Sequence, residues 1–251
     1  MKNGKTSNHL IIRNWNKQPK TLSTYGVILS SLENVIEQIK NELLAKNKVR
    51  EETHESMRKA TSLSKQAILL IHQKRVEDAQ KMVTNAKEII SSLQGQADEC
   101  PEIIYGGMFS AALQEYSEAN ILLTLVKEGR FVTPAEINVP SVDYVLGLAD
   151  VIGEYRRLAL DYLRDGEVEK GVQCLEVMDQ VFIQLLALDE AYMLVPGLRH
   201  KSDIARRIIE STRGDITLEV RRKSLEDQLK KFQTPQRKTI KPKHKQNKDK
   251  K

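Results

Sequence analysis

The stretch SAALQEYSEANILL, residues 110–123, sets two glutamates, Glu115 and Glu118, one helical turn apart. Carboxylates at this spacing project side by side, which suits a hard divalent cation held by few protein oxygens and completed by water. Their place in the pattern sharpens the case. Counting by alternating threes and fours from Ile104 gives Met108, Ala111, Glu115, Glu118, Leu122 and Leu125, so both acids fall on the stripe expected to face a partner helix. A charge there is costly unless it is paired, hydrated or bound to a cation. The competing reading is a wet face, at a groove or subunit seam, where the glutamates pair with Lys or Arg.

A second cluster lies in SVDYVLGLADVIGEYRRLALDYLRDG. Val145, Leu148/Ala149, Ile152, Ala159 and Leu163 make an apolar stripe; Asp143, Gly147, Asp150, Glu154, Arg157 and Asp161 make the opposite one. Asp150 reads either as an ordinary surface acid, with Glu154 paired to Arg157, or as a functional group. For the latter, Gly147 and Gly153 leave bare backbone beside it, as happens where a helix or a ligand comes close. A third candidate is the row Arg58, Lys65 and His72, each seven residues apart. Such a row either tracks phosphates or is a solvated charged face. Aromatic residues make up only 5% of the chain and do not alternate with the basic ones, so base stacking on a single-strand platform is not signalled. The sequence has no His-Glu-x-x-His, no pair of Glu-x-x-His motifs of the di-iron bundle kind, no phosphate-binding glycine loop and no Gly-x-Ser-x-Gly, which excludes those site types.

The elements that must carry these residues read as helices. Ile28, Leu32, Val35/Ile36, Ile39 and Leu43 start a long first helix that continues, with a short break, through Met57, Ala60, Ala67, Leu70 and Ile71. Residues 77–93 make another, stopped by Gly95; a loop with Pro101 follows, then a helix over about 103–128 ended by Gly129. Thr133, Pro134 and Glu136 spell a capping box, and Ser141 is a candidate cap for a helix over 142–163. Two more, about 168–188 and 198–232, the latter with a potential break at Gly214, give roughly seven helices and no strand pattern: an all-α bundle in a single domain over residues 23–232.

The net charge of +6 is carried by the ends of the chain. Residues 1–20 hold five Lys/Arg and no acid, and residues 231–251 hold nine against Asp249, which leaves 21–230 at −7. The first 22 residues read as a basic arm. The Lys-rich tail over 233–251 has too little apolar content to fold and reads as a disordered solubilising or phosphate-gripping segment. Two isolated cysteines, no leader pattern and no long apolar run predict a soluble cytoplasmic protein without a membrane partner.

LQEYSEA (113–119) followed by VDYVLGLADVIGEYRRL (142–158) resembles the paired signature of the translin superfamily, nearer its translin-associated factor X branch than translin itself. SKQAILLIH (64–72) resembles the basic helix that precedes those motifs, and the likeness covers about residues 25–225. The resemblance implies an all-α fold of about seven helices that assembles into a hollow octamer and binds single-stranded RNA or DNA. In the factor X branch it also implies an endoribonuclease dependent on Mg²⁺ (or Mn²⁺), whose metal is held by two glutamates and an aspartate. Carried over position by position, these are Glu115, Glu118 and Asp150. Arg58, Lys65 and His72 match basic, nucleic-acid-binding positions. The implied chemistry is metal-assisted phosphodiester hydrolysis, with Glu154 and Arg157 standing behind the ligands or facing the substrate. The alternatives are a nucleic-acid-binding homo-oligomer without catalysis, and a helical scaffold unrelated to nucleic acid.

Overall fold

The computed structural model describes residues 22–96, 101 and 106–233. The expected basic arm and Lys-rich tail, and most of the loop around Pro101, lie outside the described residues. Within them the chain forms seven α-helices, one 3₁₀ helix and no strand: α1 (Leu22–His72), α2 (Val76–Gly95), α3 (Gly107–Glu128), α4 (Pro134–Ile137), α5 (Ser141–Arg164), α6 (Val168–Leu186), the 3₁₀ helix (Asp189–Leu194) and α7 (Leu198–Gln233). Neither the break expected in α1 nor the one at Gly214 in α7 occurs. No described helix is long and apolar enough to cross a membrane.

Local chemistry sets most boundaries. In α2, Glu77 and Asp78 sit on the positive end of the helix dipole. Ala79, Val83, Ala86, Ile90 and Leu93 form one buried stripe at threes and fours. Burial of each of its Val, Ile and Leu side chains contributes on the order of 2 kcal/mol. Gly129 ends α3 in the left-handed region (φ 68°), where its N–H bonds Leu125 O. The capping box forms as the residues predict: Glu136 N donates to Thr133 Oγ1 at 3.3 Å, and Thr133 N to Glu136 Oε2 at 2.6 Å. Ser141 does not cap α5; Pro140 takes the cap position, and Ser141 is already helical. Proline's fixed φ suits that entry, and its missing N–H has no intrahelical acceptor to lose.

The chain divides into two units between Glu55 and Ser56. The described part of the first, residues 22–55, is helical throughout, and Val27, Ile28, Leu29, Leu32, Val35, Ile36, Ile39, Leu43 and Leu44 on it are all exposed. In the second unit the core begins at Met57. There α5 is the central helix, laid against α3, α6 and α7, while α2 packs on α3. Met57, Ala60, Ala67, Ile68 and Ile71 of α1 close this core.

Candidate functional site

The site is built where α3 crosses α5, and one residue sets how closely. A Cβ added to Gly147 of α5 would lie 2.6 Å from Gln114 O, 2.8 Å from Ser117 Cβ and 3.0 Å from Glu118 N of α3. The two backbones therefore touch, as only glycine allows. Gly153, by contrast, has nothing within 4 Å of a Cβ position. The buried Ser117 hydroxyl is satisfied on its own helix, donating to Leu113 O at 2.7 Å. One turn before Gly147, buried Asp143 accepts from Ser110 Oγ, to which Gln114 Nε2 also donates. Burial raises the Asp143 carboxyl above the ordinary range, against the pull of these two neighbours.

On the other side of Gly147 the crossing is acidic. Glu118 is 8% exposed. Burial pushes its carboxyl up to about 8, and the Asp150, Glu154 and Glu115 carboxylates push the same way while Lys201 opposes them. Each of the other three acids has a basic partner from a different helix. Lys65 of α1 lies 3.2 Å from Glu115. Lys201 of α7 donates to Asp150 Oδ2. His72 of α1 donates through Nε2 to Glu154 Oε2 at 2.5 Å. The His72 side chain is 3% exposed, its Nδ1 has no hydrogen-bond partner among the described residues, and Asp161 Oδ2 stands 4.0 Å from that nitrogen. The ring thus sits between two carboxylates two turns apart on α5.

The structure brings Glu115, Asp150 and Glu154 near enough to Glu118 to act on its carboxyl, but not into a finished cage. Among the described residues no three acidic, His or Cys side chains stand as a ready metal-holding group. Arg58 and Lys65 are exposed on α1, whereas His72 is withdrawn from that row into the acidic cluster. Arg157 is exposed and makes no ion pair among the described residues; its neighbour Arg156 instead bonds Thr212 at 2.8 Å and Asp215 at 3.0 Å. The α3 stripe counted from Ile104 is displaced: Met108 and Ala111 are exposed, and Phe109, Ala112, Leu113 and Tyr116 are buried instead. Glu118 and Leu122 still face inward, and Glu115 stands at the edge with its side chain 28% exposed. Sequence reasoning missed Lys201, which stands among several bases in GLRHKSDIARR with nothing to single it out.

This arrangement has relatives. Residues 48–231 match the Translin family. An uncharacterized protein of Methanocaldococcus jannaschii is 32% identical over 195 residues, covering 77% of this chain and 86% of that protein. Among solved structures, AfC3PO in a complex with duplex RNA superposes with a TM-score of 0.65 at 30% identity, over 73% of this chain and 95% of that one. AfC3PO alone gives 0.65 at 31%, over 73% and 96%. Apo-NeC3PO, at 22% identity and a TM-score of 0.65 over 73% and 96%, shares the fold. With the family match covering most of the described residues, the chain belongs to the Translin family.

Proposed function

We propose that the protein binds single-stranded nucleic acid and cleaves RNA as a Mg²⁺-dependent endoribonuclease. One observation carries this reading: three carboxylates from two helices, Glu115, Asp150 and Glu154, stand near enough to a nearly buried fourth, Glu118, to act on it, with more negative charge than Lys201 and the exposed Lys65 balance. A donor set of carboxylate oxygens fits a hard cation, Mg²⁺ or Mn²⁺, better than a soft one. Glu115, Glu118 and Asp150 would hold the ion, with Glu154 beside them kept in place by His72. The bound cation would polarise a phosphoryl oxygen and supply a water of lowered pKa for in-line attack. The chain itself contributes the site's shape, fixed by the Gly147 contact, and exposed Arg58 and Lys65, which attract the phosphate backbone. The duplex RNA bound by AfC3PO supports a nucleic-acid partner for this chain.

A labelled single-stranded RNA should be cleaved with Mg²⁺ and left intact with EDTA. Glu118→Gln should slow cleavage at least about 100-fold, the upper end of what losing a supporting partner of a metal site costs. Undiminished cleavage by that variant would sink the assignment. Salt-sensitive RNA binding without any cleavage would favour the non-catalytic assembly.

Self-association belongs to the same proposal, up to the octamer of the family resemblance. Ile28, Leu32, Val35, Ile39 and Leu43 form an exposed apolar stripe on residues 22–55, a surface of the kind that marks an interaction site. Light scattering after gel filtration should give a multiple of the 28.6 kDa chain, and Leu32→Glu with Ile39→Glu should reduce it. An unchanged mass for the double variant would place the interface elsewhere.

A further inference from the structure

We infer that Lys201 is a built-in counter-ion of the acidic site: its ammonium holds Asp150 while no divalent cation is present and leaves Asp150 when one binds. The inference rests on the metal-site reading above. Lys201 is not a loose surface lysine. It lies in the first turn of α7, directly after Gly197 (φ 90°), and its N–H bonds Gly197 O at 3.1 Å. Buried Leu198, Ser202 and Ala205 pin that turn to the core. Its own side chain is 23% exposed, against 62% for the Lys65 that pairs with Glu115.

The ammonium reaches two members of the cluster. It donates to Asp150 Oδ2, and it opposes the three carboxylates that act on Glu118. Without it, the metal-free protein would hold these acids together with Lys65 and His72 alone among the described basic partners. Yet ammonium and metal cannot share Asp150 Oδ2, the oxygen that Lys201 holds. Lysine offers protons and no lone pair, so it cannot join a coordination shell, and two cations at one carboxylate repel. Loading the site must therefore exchange a single positive charge at Asp150 for a double one. A lysine suits that exchange better than an arginine, because it is a compact charge on a flexible stem with no bidentate grip to break.

Two measurements test this on the full-length protein. Mn²⁺ titrated calorimetrically should bind Lys201→Gln about tenfold more tightly than wild type, the scale expected when a competing charge is removed from a partly buried site. Lys201→Arg, which keeps the charge and adds a bidentate grip, should bind no more tightly than wild type. Equal affinity for wild type and Lys201→Gln would overturn the exchange and leave the metal site standing. No binding to either protein would overturn both. Binding to Lys201→Gln alone would support the counter-ion and overturn the metal-dependent function of the native chain. The second measurement needs no variant: acetylation of wild-type lysines, read by mass spectrometry, should modify Lys201 several-fold faster with Mn²⁺ than with EDTA, while Lys81 and Lys170 react equally in both. Unchanged Lys201 reactivity in a protein shown to bind Mn²⁺ would overturn the proposal.

Discussion

Gly147→Ala should lower the melting temperature by about 6–12 °C and abolish whatever the acidic site does. The added methyl meets Gln114 O at 2.6 Å and Glu118 N at 3.0 Å, both backbone atoms that no rotamer change can move. Overpacking of this kind costs about 3 kcal/mol, and in a chain of this size each kcal/mol is worth about 2–4 °C. The only relief is for α5 to draw back from α3. That motion carries Asp150 and Glu154 away from Glu115 and Glu118, so site and fold fail together. Gly153→Ala on the same helix is the control: its Cβ has open space, and alanine is a better helix former by about 1 kcal/mol, so its melting temperature should hold or rise. Circular dichroism melts of the two variants decide the matter; equal melting temperatures for Gly147→Ala and wild type would show that the crossing is looser than its geometry requires.

The second large effect is a pH dependence seated in Glu118. Its carboxyl ionises at 4.5 in the unfolded chain and at about 8 in the fold, so the folded state binds the extra proton between those values. The favourable contribution is therefore complete below 4.5 and is lost as pH rises through 8. From 4.5 to about 8, at about 1.4 kcal/mol per pH unit, ionisation costs the fold at most about 5 kcal/mol. Glu118→Gln removes the charge and keeps the shape. In EDTA, urea denaturation should find the variant and wild type close at pH 5 and the variant more stable at pH 9. Saturating Mn²⁺ should reverse that order, since a ligand at 100 times its Kd stabilises by about 2.7 kcal/mol and the variant lacks a donor. A wild type as stable as the variant at pH 9 in EDTA would show that solvent relieves Glu118 far more than its burial suggests.

What the sequence disclosed follows from the range of each interaction. The α2 stripe, the Thr133–Glu136 box and the Gly129 cap are decided within one or two turns, and all three stand where the residues place them. The α3 stripe is off by a residue because threes and fours fit two adjacent tracks when both carry apolar groups; Phe109, Leu113 and Tyr116 fill the one that is buried. Arg58, Lys65 and His72 share a heptad spacing, but an α-helix drifts about 20° per heptad. Over two heptads this is enough to turn His72 under the surface that Arg58 and Lys65 occupy. Its partner Glu154 is 82 residues away, and the Lys201–Asp150 pair spans 51, so neither pairing has a local signature.

The acidic site also has no home short of the whole second unit. Its carboxylates come from α3 and α5, its bases from α1 and α7, and the contact that sets its width is a bare glycine between backbones. No pair of neighbouring helices contains it, and the repulsion among its acids opposes assembly until the surrounding core is in place. Fraying at a helix end can leave such a site intact, whereas opening of any one of the four walls dissolves it. Its integrity is thus a readout of cooperative folding: the protein possesses this chemistry only as an all-or-none object.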